Sequence, residues 1–584
     1  MGMKLRRSVA AGAASFLGLT LLAACGGGDD DNGPGSSSEP GEGAKGGTLT
    51  VLQHFPYEST DPQRIYYGVE LSWFRRLLYR GLVAFPMSED PEVANTPVPD
   101  LATDTGTPNE DSTEWSFTLK DGVKWEDGKP ITCEDVQYGT SRVFANDIIT
   151  GGPNYTLSYI DVKDYPGPYK ATPQQQKAFE EAVSCDGNTI TFHFNKPWAD
   201  FPQAAAGMMM TDPYRKDFDE GDKSQWKVLS NGPYKVEGGV WDKNKGATLV
   251  RNENYDESTD DPEQLRLALP DKIDYQIDPS DTAGELFNDR LIADAGQDQY
   301  AITTARVAPA QFSQLDNPNV ADRYLNVLSP YNSYLVPNFN SDTMKDVKVR
   351  KALAVALDLN GYVKALGGEK AAAPAETIVN PGVSGAEDNP AFAEDNNNDG
   401  DPEAAKALLE EAGVKMPVPI KLGYQSSPTM DKAMGVVKES WDAAGFKVSL
   451  DPLADTYYDV ISLPDDDYDV TWAGWGADWP SMMTVLPPLF DSRPNFSPTT
   501  CGQDYGCYQS DEFEAKVDEA ANASDIDEQI AALQEADKIL GEDYAYIPLE
   551  ITSFPWLHGS KITGFTTTPA SSSYPEIGLI GVEQ

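Results

Sequence analysis

Apolar and polar side chains alternate over residues 48–54, where Thr, Leu and Val dominate, and this two-residue period predicts a strand. The same period recurs at 114–119, 189–194 and 247–251. Helical spacing lies between these runs. Thr132, followed three residues later by Asp135, has the form of a capping box and predicts a helix running to Phe144. Val349, Leu353, Leu357, Tyr362 and Leu366 recur near helical spacing and predict one helix over 346–366. A third helix starts at Asp401-Pro402, with Asp as N-cap and Pro in the first turn, and Gly413 ends it. Residues 468–475 read as a further strand that ends in a glycine-bearing loop. Strands and helices mix without an internal repeat, which indicates an α/β or mixed α+β fold.

The amino-terminal segment has a different pattern. Lys4, Arg6 and Arg7 precede an apolar run over 9–24 that is shorter than the roughly 20 residues a membrane-spanning helix needs. It reads as an export signal, 1–24. Its end, Leu22-Ala23-Ala24-Cys25, resembles the bacterial lipobox, which implies a lipid-modified Cys25. Residues 25–47 are rich in Gly, Asp, Ser and Pro and predict a flexible tether. Export favours disulfides among the other four cysteines, which allow three connectivities. Cys501 and Cys507 enclose a short loop with two glycines, leaving Cys133 with Cys185.

Charge narrows the partners. Lys and Arg total 45 against 93 Asp and Glu, a formal net charge of −48, so nucleic acid is excluded as a partner. With 11 Trp, 27 Tyr and 21 Phe the chain can build a packed core, unlike a disordered acidic tail. Its 584 residues accommodate several domains or one large bilobal body. None of the three histidines stands in a metal-binding spacing. The Asx-rich run 395–400 imitates the start of an EF-hand loop, but Lys406 stands where a bidentate Glu belongs, so a turn is expected rather than a calcium site. Residues 122–129 only faintly resemble a phosphate loop, and Pro130 replaces its Ser or Thr. No cofactor and no metal are expected. Asp465, Asp466 and Asp467 are expected to form a solvated turn.

Six segments in order resemble the family 5 solute-binding proteins of ABC importers, which include the oligopeptide- and dipeptide-binding proteins. They are Gly46-Gly47-Thr48-Leu49-Thr50-Val51 with Thr60-Asp61-Pro62; Leu78-Tyr79-Arg80-Gly81-Leu82; the long stretch from Lys120-Asp121-Gly122-Val123-Lys124-Trp125 to Glu134-Asp135-Val136; Asn231-Gly232-Pro233-Tyr234; Val347-Lys348-Val349-Arg350-Lys351-Ala352-Leu353; and Gly474-Trp475-Gly476-Ala477-Asp478. The resemblance implies a two-lobed periplasmic-binding-protein-like fold that closes on its ligand by a hinge motion. It places a first lobe at 48–325, with an extra subdomain near 91–186, a second lobe at 326–545, and a return to the first lobe at 546–584, opened by Tyr546-Ile547-Pro548-Leu549.

In peptide-binding members the acid of the Gly-Trp-x-x-Asp motif pairs with the ligand's α-amino group, which points to Asp478. Physical chemistry agrees: a cation enclosed away from water needs a fixed counter-charge. Gly474, Trp475 and Gly476 would present backbone to a peptide strand. The resemblance carries Tyr66, Tyr67, Gly68 and Val69 to the ligand cleft, together with Tyr155 and Tyr159 from the subdomain. Trp472, Trp475 and Trp479 are either core anchors or ligand walls, and Asp478 could instead cap a turn before Trp479-Pro480.

The function expected is that of a monomeric, lipid-anchored protein on the extracellular face of the bacterial membrane. It captures peptides and delivers them to a permease driven by a cytoplasmic ATPase. An oligosaccharide or a chelated metal is the alternative solute on the same fold. A secreted carboxylate-dependent hydrolase is the alternative of another class, though no motif places an acid pair.

Overall fold

Strand β1 (Thr48–Gln53) is buried along nearly its whole length, and not on alternate residues as its sequence pattern suggests. Its position explains this, because it runs parallel to β2 (Lys272–Ile277) on one side and β3 (Ala301–Thr303) on the other. A central parallel strand is covered on both faces. Thr248–Arg251 and Tyr234–Val236 complete this five-stranded sheet. A six-stranded sheet has the order Ala372–Pro374, β7 (Ile547–Leu557), β4 (Tyr324–Pro337), β6 (Val470–Gly476), β5 (Val418–Gln425) and Phe446–Leu453. A four-stranded antiparallel sheet holds Glu114–Thr118 and Thr189–His193 at its centre.

The structure, a computed structural model, describes residues 43–393, 398–454 and 456–584. The export segment, Cys25, nearly all of the tether and positions 395–397 of the Asx run lie outside the described residues. Among the described residues no helix is long and apolar enough to cross a membrane.

Two large apolar cores organise the chain. One draws on residues 334–549 and covers the six-stranded sheet. The other draws on residues 49–302 and 562–582 and also takes in Trp479, which is otherwise surrounded in sequence by members of the first core. β4 and β7 pair antiparallel, from Tyr324 opposite Leu557 to Leu335 opposite Ile547, with two register shifts. Leu557 and Tyr324 belong to a small third cluster with Leu52, Phe287 and Leu291.

Local sequence explains most elements. The helix Cys133–Val143 has both halves of its capping box, Thr132 and Asp135 each accepting the other's backbone N–H. Asp401 caps Pro402–Glu411 as expected, and Gly413 follows with φ +68°, where a side chain would be strained. The single helix expected over 346–366 is instead two, Val347–Val355 and Leu359–Leu366. Asp358 interrupts it by accepting the Gly361 N–H, since its carboxylate competes for backbone donors that a continuous helix would use. The strand near 470 also departs from expectation at its end: Gly476 lies within β6 and not in a following loop. The acidic turn before it is only partly solvated, because Asp466 turns inward to accept from Asn338 and the Tyr468 N–H. Disulfides join Cys133 to Cys185 and Cys501 to Cys507.

Candidate ligand-binding site

β6 is fully paired along one edge, from Val470 opposite Pro337 to Gly476 opposite Tyr331 of β4. On its other edge β5 covers only Val470 and Thr471. The Trp472 carbonyl accepts the Tyr457 hydroxyl, and by strand alternation the main chains of Gly474 and Gly476 face the same uncovered side. Gly476 is required there for a second reason. A Cβ on it would stand 2.5 Å from the Tyr331 ring, which lies over it.

Two residues beyond the strand, Asp478 is fixed through its backbone N–H, which donates to Thr484 Oγ1 at 3.1 Å. The Trp475 indole donates to the Thr484 carbonyl at 2.8 Å and holds the same turn. Trp479 is buried; its indole N–H donates to Asp200 at 2.7 Å, and its ring meets Tyr155 edge-on at 4.7 Å between centroids. Asp478 does not cap this turn. Its carboxylate accepts a hydrogen bond from the Tyr66 hydroxyl at 2.8 Å and another from the Tyr155 hydroxyl.

The two tyrosines converge although 89 positions separate them in sequence. Tyr66 precedes helix α1 (Gly68–Leu77) and follows a turn built on Asp61, whose buried carboxylate pairs with Arg142 of the Cys133–Val143 helix at 2.7 Å. Gly152, three residues before Tyr155, touches that same turn. A Cβ there would meet the Gln63 carbonyl oxygen at 2.0 Å, so only glycine lets the segments approach.

The electrostatics follow from this construction. Burial pushes the Asp478 carboxyl above its usual range, opposed by the phenol hydrogen bonds. Burial, and after it the Asp478 carboxylate, pushes the Tyr66 and Tyr155 phenols up, so both stay protonated donors. Among the described residues no Lys, Arg or His pairs with Asp478. The carboxylate is thus half-buried, held by two neutral donors and without a basic partner among the described residues.

The bacterial extracellular solute-binding protein family 5 profile (middle region) matches residues 96–497, more than half of the chain. The chain belongs to that family. Among curated relatives it is similar to the oligopeptide-binding protein OppA of Bacillus subtilis, 24% identical over 93% of this chain and 94% of that one. It is also similar to the probable D,D-dipeptide-binding periplasmic protein DdpA of Escherichia coli, 23% identical over 79% of this chain and 80% of that one. Among solved structures it superimposes on the clavulanic acid biosynthesis oligopeptide binding protein 2 with a TM-score of 0.82 and 25% identity, covering 93% of this chain and 96% of that one. An unliganded open form of the periplasmic murein tripeptide-binding protein MppA gives a TM-score of 0.70 at 21% identity, over 93% and 99% of the two chains. The fold is thus the mixed α/β, two-lobed fold of family 5.

The family 5 motifs place the other candidate residues unevenly. Tyr67 is exposed near the carboxylates of Glu58 and Glu70, and Gly68 opens α1 beside Ser572. Val69 is buried in the core, and Tyr159 stacks on Trp198 at 4.0 Å, so neither reaches Asp478. Trp475 and Trp479 act as anchors of the Asp478 turn. Trp472 is half-buried against the core and its indole nitrogen has no hydrogen-bond partner. Sequence reasoning missed Thr484 and Tyr331, which position the site through contacts that no motif carries.

Proposed function

We propose that this family 5 protein binds peptides through their free amino terminus, which pairs with Asp478, and hands them to an ABC permease. The observation that carries this reading is the half-buried Asp478 carboxylate, hydrogen-bonded by two phenols and lacking a basic partner among the described residues. The uncovered edge of β6 at Gly474 and Gly476 supports it, since an extended peptide main chain can pair there without reading side chains. The names of its relatives agree with a peptide ligand.

The lobes of this reading are 48–325 with 546–584, and 326–545, hinged where β4 and β7 pass between the cores. Cys25 carries the lipid that tethers a monomer outside the cell, and the energy for transport comes from the permease's ATPase. The chain binds and releases without turnover.

Calorimetric titration of Asp478→Asn with trialanine tests the assignment. Removing the counter-charge strands the ammonium, so affinity is expected to fall by about 3–5 kcal/mol relative to the unmodified protein. A loss below about 0.5 kcal/mol would place Asp478 outside the site.

A further inference from the structure

Asp200 stands at the N-cap position of the helix Phe201–Gly207, but its side chain makes no capping bond. Among the described residues, every other aspartate at such a position accepts a backbone N–H of its own helix. Pro202 explains part of the exception, since it removes one of the donors an N-cap takes. The destination of the carboxylate explains the rest. It turns away from its helix and accepts the Trp479 indole N–H at 2.7 Å.

This bond joins the two cores. Asp200 is buried between Trp198 and Phe201, members of the core drawn from residues 49–302 and 562–582. Trp479 belongs to the same turn as Met482 and Val485, which pack in the core drawn from residues 334–549. Burial pushes the Asp200 carboxyl above its usual range, opposed by hydrogen bonds from the Ser481 hydroxyl of that turn and from the Trp479 indole. A buried acid held by these donors is costly to leave without them.

The helix that begins at Asp200 meets Trp479 again at its far end. A Cβ on Gly207 would stand 3.1 Å from the Trp479 Cβ and 3.5 Å from the Asp478 carbonyl oxygen, so this glycine lets the helix lie against the main chain that carries the site. Tyr155, whose hydroxyl holds the Asp478 carboxylate, lies edge-on to the same indole ring. Tyr159 does not reach Asp478 but borders the seat of the indole: burial, and after it the Asp200 charge, pushes its phenol up. Thr484 ties the turn together from within its own core, through the Asp478 N–H and the Trp479 carbonyl. That fixes the shape of the turn but not its place relative to Tyr66 and Tyr155. The indole seated on Asp200 fixes the place, one peptide bond from the residue that bears the carboxylate.

We propose that Asp200 is a positioning residue of the peptide site: by fastening the Trp479 indole in the opposite core, it aims the neighbouring Asp478 carboxylate at the ligand's amino terminus. The inference rests on the amine pairing at Asp478 and deepens it.

The test is calorimetric titration of trialanine and N-acetyl-trialanine against the unmodified protein, Trp479→Phe, Asp200→Leu and Asp200→Asn. Trp479→Phe keeps a ring in the seat and deletes only the N–H. It is expected to weaken trialanine about ten-fold and to shrink the acetylation penalty by a similar factor, as is Asp200→Leu. Asp200→Asn keeps an acceptor oxygen and is expected to stay within about three-fold of the unmodified protein. An acetylation penalty unchanged in Trp479→Phe would overturn the inference while leaving the amine pairing standing, whether or not Asp200→Leu folds. Equal weakening of both peptides would also overturn it, assigning the pair to packing alone, as would an Asp200→Asn variant no better than Trp479→Phe. Absence of any acetylation penalty in the unmodified protein is a separate outcome that removes the amine pairing itself, and the inference with it.

Discussion

The half-buried Asp478 carboxyl is pushed above its usual range, and this predicts how binding responds to acid. A bound ammonium favours the ionised form and draws the pKa back down. Affinity therefore falls as pH drops through the raised value, and it falls again as pH rises through the ligand's own α-amino pKa of about 8. Titrating trialanine from pH 7 down to pH 4, where its amine stays charged, should show binding weaken progressively, and that acid dependence should vanish in Asp478→Asn. Tyr66→Phe removes one donor and should cost about 0.5–1.5 kcal/mol of affinity, since Tyr155 still holds the carboxylate. At this scale the sequence was partly legible. Asp478 stands out because Gly-Trp-x-x-Asp names it, and Tyr66 because it follows Asp61-Pro62. Thr484 stands in no motif, and its part in holding the Asp478 turn comes from which groups it meets in space. Val69 illustrates the converse: a family position next to a ligand residue lies inside the core because a helix turns successive side chains to different faces.

Elements position these residues through close backbone approaches more than through long side chains. Gly152 shows this most plainly, with its segment lying against the Gln63 carbonyl. Gly152→Ala should force the two segments apart, cost about 1–3 kcal/mol of stability and weaken peptide binding by moving Tyr155 off Asp478. Chemical denaturation and titration of the same variant measure both effects. Thr132→Ala should cost about 1 kcal/mol of stability by removing an N-cap, without changing peptide affinity. Strands and caps were readable because they depend on neighbours in sequence. The helix break at Asp358 was not, because apolar spacing continues across it while one carboxylate redirects the backbone. Gly476 falls outside the expected strand for a similar reason: its lack of a side chain signals a turn, whereas here it makes room for Tyr331.

The whole molecule carries buried acids outside the site, and these set its response to alkali. Burial pushes Glu550 of β7 up to about 7 and Glu70 of α1 up to about 8, from ordinary values near 4.5. Each holds its proton in the folded state at pH values where the unfolded chain has lost it. Their contribution to stability is complete below about pH 4.5 and declines as pH rises through 7 and 8. Thermal melting should therefore fall from pH 5 to pH 9, and Glu550→Gln should flatten that decline. Glu550 pairs in register with Ser333, which pairs with Gly474, so this acid lies two strands from the proposed ligand edge. The fold class followed from motif order, whereas the seating of Trp479 in the core opposite its sequence neighbours did not. The account as a whole depends on a cationic chain end meeting Asp478. Calorimetry of the unmodified protein with trialanine and with N-acetyl-trialanine at pH 7 tests it most directly. Acetylation should weaken binding by at least about 3 kcal/mol, and equal affinity for the two peptides would contradict the account.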